Sequence, residues 1–451
     1  MNSHVIVVDL GYGDAGKGGI VAALCARGAS EGGARDGRRV SAVVRFNGGA
    51  QAAHHVLSSS GEPHAFAQFG SGTFTRGTRT FLSRHMLLNP LALVAEAEHL
   101  ARFGIPDPLS LIAVDRDALL TTPYHQAANR ARERARGAAR HGSCGMGIGE
   151  TARYALQHPA AAPRAGDMTS PRTLERKLTL LRDRLAADLA EPCESARTPS
   201  PPPADIAGVY RDVAARVTLA GDGYLRGLLR DGPVVFEGAQ GVLLDEWRGF
   251  HPYTTWSTTT FENAERLLAE AGAPGAALRL GVTRTYQTRH GPGPFPTEDA
   301  ALRVTEPHNT AGSWQGPFRS GHLDAVTLRY ATEVTGGVDA IALTHLDTAR
   351  RHPELKLCHG YEISGPPAER AGYARPAERR LEHLAPGPLR DLGFQAELTA
   401  ALGAVRPRYR DVDPGDWPDV VTEITRATVT IRSSGPATAD KELMSLAATP
   451  R

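Results

Sequence analysis

The stretch "GYGDAGKGG", residues 11–19, stands directly behind the apolar run "HVIVVDL" of residues 4–10. A short, continuously apolar run reads as a strand buried on both faces of a parallel sheet. "KGGIVAALCARGA", from Lys17, reads as a helix that begins inside the glycine loop. Gly11, Gly16 and Lys17 fit the phosphate-loop spacing G-x-x-x-x-G-K, but Gly18 stands where a Ser or Thr hydroxyl would ligate Mg²⁺. A carboxylate, Asp14, lies inside the loop instead. Backbone N–H groups of a glycine turn before a helix form an anion cradle, and Lys17 adds a point charge. A carboxylate beside bound phosphate repels it unless a cation stands between. Asp14 therefore reads either as a Mg²⁺ ligand or as the acceptor of a proton from a second substrate.

Working outward, "RRVSAVVRFNGG" supplies a second strand, so the chain opens as βαβ and predicts an α/β fold with a large, mostly parallel central sheet and surrounding helices. Helices are expected in "MLLNPLALVAEAEHLARFG", where Asn89-Pro90 is a start signal, in "TTPYHQAANRARERARGAARHG", and in "SPRTLERKLTLLRDRLAADLA" with Ser170 as N-cap. Two segments, 28–39 and 191–205, have the composition of flexible insertions within a single domain spanning 1–451. "GPVVFEGAQGVLLDEW" and "GGVDAIALTHLDTA" are further strands that end in polar or glycine clusters. Ligands of open α/β sheets gather beyond the carboxyl ends of strands, which singles out Asp14, Gln240 and Asp347. "RFNGGAQAAHHV", 45–56, is another strand followed by a glycine turn, and brings Gln51 and His54 into consideration.

Composition narrows the function classes. With 51 basic and 49 acidic residues the net charge is +2, which gives no electrostatic case for nucleic acid. The 4 cysteines are widely spaced with no C-x-x-C, so neither a zinc site nor a disulfide framework is indicated. "MNSHVIVVDL" lacks a basic n-region and reads as a strand rather than a signal peptide, and no run approaches the ~20 apolar residues of a membrane span. A cytoplasmic protein is the expectation.

"GYGDAGKGGIVAAL", "RFNGGAQAAHHV", "TPYHQAANRARERARG", "GSCGMGIGE", "VVFEGAQGVLLDEW", "TRTYQTRHGPGPFPTE", "LTHLDTA" and "SSGP" together, in this order, resemble the adenylosuccinate synthetase family from residue 4 to about residue 436. The resemblance implies a homodimeric ligase that joins L-aspartate to IMP, with GTP as co-substrate and Mg²⁺ as cofactor. It makes Asp14 both base and Mg²⁺ ligand, with the Ala53 carbonyl as a further metal ligand. His54 and Lys17 would stabilise the transferring phosphoryl group, and Gln240 would contact the purine near the reacting oxygen. Gly13, Ala15, Gly16, Gly18, Gly19 and His55 fall on GTP-binding positions. His345, Asp347, Ser433, Ser434 and Gly435 fall around the guanine, with Asp347 able to accept from N1–H and N2–H₂.

Departures from the family pattern gather on the acceptor and amino-acid side. Gln51 replaces an Asn, Ser143 and Cys144 replace two Thr, and Met146 and Glu150 replace an Arg and a Pro. Thr255 is retained, but Trp256 replaces a small residue. Thr310, Gly312 and Arg319 match parts of the arginine-rich aspartate loop, with at least one arginine missing. Fewer donors weaken a phosphate or carboxylate pocket, although Arg153 or Arg164 could compensate. A viral branch of the family acts on dGMP and departs at the loop Asp, so Asp14 argues against that substrate. Three readings remain: the IMP–aspartate ligase, a paralogous GTP-dependent ligase on a modified purine or other oxo-heterocycle, and a non-catalytic GTP-binding homologue. The retained Asp14, Lys17, His54 and Gln240 weigh against the last.

Overall fold

The computed structural model describes residues 4–30, 39–137, 140–189, 201–304, 306, 314–363 and 380–444. The chain divides into two compact units, and neither is one continuous segment.

The first unit comprises Met1–His4, Val21–Ala239 and Asn263–Ala276. Its strands run in the order Val234–Glu237, Ala42–Arg45, Arg79–Leu82, Ile112–Asp115 and Thr218–Ala220, and every pairing is parallel. The strands Val234–Glu237 and Ala42–Arg45 read "VVFE" and "AVVR", and all their residues are buried, as strands covered on both faces require. An antiparallel hairpin, His54–Leu57 with Pro63–Phe66, follows the second strand.

Three helices of this unit start where the sequence signals them. Asn89 accepts from Ala92 N–H (3.1 Å) in front of Pro90. The helix Pro123–Arg136 begins behind Thr122, whose hydroxyl pairs with the His125 ring. Pro171–Leu189 turns Leu174, Leu178, Leu181, Leu185 and Leu189 into the core, an i, i+4, i+7 stripe. Its expected cap, Ser170, contributes its backbone carbonyl to Leu174 N–H, while its hydroxyl pairs with Thr173. The flexible segment expected over 191–205 requires correction at its end: a helix begins at Pro203. The prolines that suggest a linker there also suit a first helical turn, where the missing N–H is no loss. Likewise 28–30 still belong to the helix Lys17–Ser30, while 31–38 and 191–200 lie outside the described residues.

The second unit comprises Val5–Ile20, Gln240–Glu262 and Ala277–Arg451. Its main strands follow the order Lys441–Leu443, Val429–Ser433, Ala340–Thr344, Ala277–Arg284 and His4–Asp9. Ala340–Thr344 pairs in parallel with both neighbours, and the edge strand Lys441–Leu443 pairs antiparallel with Val429–Ser433. A second sheet orders Tyr286–His290, Phe318–Asp324, Lys356–Ile363 and Arg380–Leu381, with Val405–Asp411 also paired to Lys356–Ile363. Asp9, Arg284, Thr344 and Ser433 all stand at the carboxyl ends of their strands. The expected α/β class and mostly parallel pairing are both observed.

Candidate active site

In the second unit the glycine loop is organised by a residue the motif does not contain. Asp9, the last residue of the first strand, is buried, and its carboxylate accepts from Gly11 N–H (2.8 Å), Gly13 N–H (3.3 Å), Ala15 N–H (3.0 Å) and Lys17 Nζ (2.9 Å). Lys17 is buried as well, so the pair is a desolvated ion pair inside the loop. Such a pair is tolerated only when further hydrogen bonds satisfy its oxygens, and the three loop N–H groups do so.

Asp14 adopts φ +58°, a left-handed conformation uncommon for a residue with a side chain. Two groups hold it there. The Arg284 guanidinium donates to the Asp14 carbonyl (3.0 Å), and His290 Nε2 stands 3.1 Å from Asp14 Oδ2. Arg284 is itself buried and fixed by Thr288 Oγ1 (3.0 Å), the Tyr286 hydroxyl and the Glu306 carboxylate. Burial raises the Asp14 pKa, but the hydrogen bond and charge of His290, then Lys17 and Arg284, outweigh it and hold the carboxyl below its ordinary value. Asp14 is therefore ionised at neutral pH, with its side chain about one-third exposed (32 %). That is what a Mg²⁺ ligand or a base needs.

Gln240 follows the strand Val234–Glu237 and also sits at φ +58°. The Gln240–Gly241 turn packs directly on the loop: a Cβ on Gly241 would stand 2.2 Å from the Gly11 carbonyl oxygen, so only glycine fits. The buried Gln240 Oε1 has no hydrogen-bond partner among the described residues. A buried acceptor left unsatisfied costs about 1–3 kcal/mol, and a ligand donor would recover it.

The guanine-side candidates converge within the same unit. The Thr344 hydroxyl donates to the Ala15 carbonyl (2.8 Å), tying the loop to the end of the strand Ala340–Thr344. Asp347 lies in the short helix Leu346–Arg351, which packs on the strand Val429–Ser433, and is oriented by Arg351 at 2.6 Å. His345 is buried and its pKa is pushed well down, by burial first and then by Arg284, Lys441 and Arg351; its ring is neutral. Ser433 Oγ donates to Gly435 O (3.2 Å), and Ser434 N–H to Asp440 O (3.0 Å). Lys441 also donates to the Gly435 carbonyl, at 2.8 Å. Burial brings the Lys441 ammonium down to about 8, against the opposing pull of Asp440 and Asp347.

Thr255 is anchored through its N–H to Leu244 O (2.8 Å), in a loop that the buried Asp245 carboxylate folds by accepting from Trp247, Arg248 and Thr259 N–H. Trp256 beside it is 45 % exposed. Arg319 is committed to Glu298 (2.8 Å) and to the carbonyls of Gly291 (2.6 Å) and Gly293 (3.1 Å). A carboxylate ligand would have to compete with Glu298 for it. Thr310 and Gly312 lie outside the described residues.

In the first unit, His54 is buried at the start of its hairpin and His55 points outward, as strand alternation requires. His54 Nδ1 stands 2.5 Å from Glu237 Oε1. Glu237 is fully buried and also accepts from the Ser71 hydroxyl (2.5 Å) and Ser71 N–H (2.9 Å). Burial pushes its pKa up, but Arg45, His54 and Ser71 bring it down to about 2, so it is a permanent carboxylate. Glu237 thereby fixes the Nδ1–H tautomer and orientation of His54. Ala53, immediately before, is exposed, and the buried Gln51 Oε1 has no hydrogen-bond partner among the described residues.

Cys144 is partly buried, its thiol pushed up mainly by that burial. Ser143 Oγ donates to Asn129 Oδ1 (2.8 Å). The two arginines considered as compensating phosphate donors are engaged. Arg153 pairs with Glu150 (2.8 Å), which also holds Arg132 (3.0 Å), and Arg164 donates to the Asp117 carbonyl (2.6 Å).

Sequence reading missed Asp9, Arg284, His290 and Glu237. A signal existed for two of them: Asp9 and Glu237 are single acids that close otherwise apolar strands, and buried acids are rare unless paired.

The adenylosuccinate synthetase family model matches residues 6–439. The chain is 31% identical over 419 residues to an adenylosuccinate synthetase of Desulfovibrio desulfuricans, which covers 88% of this chain and 90% of that relative. It is 33% identical over 371 residues to one of Anaeromyxobacter sp. (strain Fw109-5), covering 80% and 81%. The fold matches the fully ligated adenylosuccinate synthetase of Plasmodium falciparum with a TM-score of 0.77 at 19% identity, over 98% of this chain and 100% of that one. It also matches cyanophage S-2L succinoaminodeoxyadenylate synthetase, bound to dGMP and dATP, with a TM-score of 0.57 at 17% identity, over 98% and 96%.

Proposed function

The chain belongs to the adenylosuccinate synthetase family, and from that membership we propose the reaction and the part each residue takes in it. The protein is a ligase that uses GTP to form a C–N bond between IMP and L-aspartate, giving adenylosuccinate, GDP and phosphate. The paralogue and the non-catalytic readings find no support in the curated relatives described above, which carry the synthetase name.

The observation that carries the mechanism is Asp14: an ionised carboxylate, locked at both its carbonyl and its side chain, inside a phosphate loop that has no Ser or Thr hydroxyl. Asp14 accepts the proton from purine N1. The 6-oxygen, now an oxyanion, attacks the γ-phosphorus of GTP and GDP leaves. Lys17, drawn from Asp9 toward the phosphates, and His54 offset the charge on the transferring group. The aspartate amine then attacks C6 and expels phosphate, a far better leaving group than oxide. Gln240 Oε1 or its amide contacts the purine edge, and Asp347 accepts from the guanine N1–H and N2–H₂.

Asp14 and the Ala53 carbonyl are oxygen donors suited to Mg²⁺, which would supply charge neutralisation on the phosphates. Oδ2 of Asp14 faces His290 at 3.1 Å. We assign Thr255, Thr310, Gly312 and Arg319 to the acceptor and aspartate. We also propose that both units work as one functional domain in a cytoplasmic homodimer. Among the described residues no helix is long and apolar enough to cross a membrane.

The test is direct. Purified protein is incubated with IMP, aspartate, GTP and Mg²⁺, and the product is read by mass spectrometry, with each component omitted in turn. Adenylosuccinate formed only in the complete mixture supports the reading; GTP hydrolysis without a new C–N bond contradicts it.

A further inference from the structure

We propose that His290 is a positioning residue for phosphoryl transfer: it fixes the Asp14 carboxylate in one orientation toward the reacting groups. The proposal rests on Asp14 being the base, as assigned above.

The contact is the Nε2–Oδ2 approach of 3.1 Å. An ionised carboxylate can only accept, so Nε2 carries the hydrogen and donates it. His290 is well placed to impose a direction because it is itself held. It closes the strand Tyr286–His290 and registers opposite Phe318 in the antiparallel partner strand. Its ring packs against the Phe318 ring, with centroids 4.8 Å apart and planes at 56°. Its chain neighbour Arg289 is buried and donates to the carbonyls of Pro292 (3.2 Å), Pro294 (2.8 Å) and Tyr253 (3.3 Å). The Arg289 guanidinium lies 4.4 Å from the ring centre of Tyr12, a residue of the loop itself. The same short stretch thus grips the loop at Tyr12 and at the Asp14 carboxylate, while Arg284, just ahead of it, takes the Asp14 carbonyl.

This grip has a chemical purpose. Asp14 has left-handed backbone geometry, and its side chain is one-third exposed (32 %). With Oδ2 paired to His290, the carboxylate is held in one orientation, and a base must lie within hydrogen-bond reach of the proton it removes. A displacement of about 1 Å in a reacting group costs on the order of 10²-fold in rate. His290 touches Asp14 rather than substrate, so its loss acts on turnover and leaves nucleotide affinity alone.

The experiment compares His290→Ala, His290→Gln and Asp14→Asn in the full chain with IMP, aspartate, GTP and Mg²⁺. Gln places its amide nitrogen near the position of Nε2 and can still donate. Expected for His290→Ala is a fall in kcat of about 10- to 100-fold. KM for GTP and IMP should change by less than about threefold, a shift too small to reflect lost binding groups. The variant should remain fully folded at the assay temperature, and His290→Gln should recover most of the lost kcat. A kcat within twofold of the parent in His290→Ala overturns the proposal. So does a Gln variant no better than Ala, or a loss explained by lower stability. If Asp14→Asn is inactive while His290→Ala is normal, only the positioning role fails. If Asp14→Asn turns over at the parent rate, the assignment of the base fails, and the positioning role with it.

Discussion

Replacing Asp9 with Asn removes one charge at the centre of the phosphate loop and leaves the shape nearly unchanged. The amide keeps one oxygen for Gly11 and Gly13 N–H, now at 2.8 and 3.3 Å from Oδ1. Its NH₂ takes the place of Oδ2, where it meets two further donors, Ala15 N–H at 3.0 Å and Lys17 Nζ at 2.9 Å. Both of those bonds are lost, and a buried ammonium is left without its counter-charge. Hydrogen bonds to charged groups are worth about 1.5–3 kcal/mol each, and breaking a buried ion pair costs about 3–5 kcal/mol. The two figures describe the same contacts and are not summed, so the expected destabilisation is about 3–5 kcal/mol. At about 2–4 °C per kcal/mol for a unit of ~200 residues, the midpoint should fall by roughly 6–20 °C. The assay is thermal unfolding by circular dichroism, with and without a non-hydrolysable GTP analogue and Mg²⁺. Phosphate offers Lys17 a replacement anion, so the analogue should raise the midpoint of Asp9→Asn by more than that of the parent. A loss under ~1 kcal/mol, within the scatter of ordinary substitutions, would refute the reasoning. Equal stabilisation of both proteins by the analogue would refute the idea that Lys17 changes partners.

Three further outcomes follow from the same geometry. Asp14→Asn should leave the fold intact and lower condensation by about 10²–10⁴-fold, the range of a general base; a loss below tenfold speaks against the role. The parent should prefer GTP to ATP, and Asp347→Ala should erode the ratio of kcat/KM values by about 10- to 100-fold, the equivalent of one charge-assisted contact; equal efficiency with both nucleotides in the parent would remove the assignment. Glu237, held down to about 2 in the folded protein against an ordinary 4.5, contributes stability that is complete above pH 4.5 and lost as the pH falls toward 2. Glu237→Gln should flatten that acid limb of the stability curve and lower kcat through a misoriented His54; an unchanged limb would mean the carboxylate is not paired as described.

Much of the second unit's site was legible in the sequence because it is written in local chemistry. A glycine turn between an apolar strand and a helix can be read without coordinates, and so can an Asp inside it. The polar strand ends at Gln240 and Asp347 follow from the rule for open sheets. The partners of those residues were not legible, because they come from far along the chain. Arg284 and His290 reach Asp14 across about 270 positions of sequence, and nothing in "TRTYQTRHG" distinguishes a buried anchor from a surface arginine in a chain rich in Arg. Asp9 carried a signal, a single acid closing an apolar run, but nothing local to it told that the loop N–H groups and Lys17 would converge on its carboxylate. The tally of departures on the acceptor side was legible, but Arg153 and Arg164 gave no sign that Glu150 and the Asp117 carbonyl would occupy them. The prolines at 201–203 satisfy two rules at once, linker and helix start, and only packing of Ile206, Tyr210 and Val213 into the core decides between them.

The central claim is that an ionised Asp14 in a phosphate loop drives GTP-dependent amination of IMP by aspartate. The measurement that tests it most directly is kcat/KM for IMP with saturating aspartate and GTP·Mg²⁺, with the product identified as adenylosuccinate. The account predicts a value of about 10⁴ M⁻¹s⁻¹ or above, in the ordinary enzyme range, with one GDP and one phosphate released per adenylosuccinate. GTP turnover that proceeds without IMP or aspartate, or condensation that requires a different oxo-heterocycle, would contradict it.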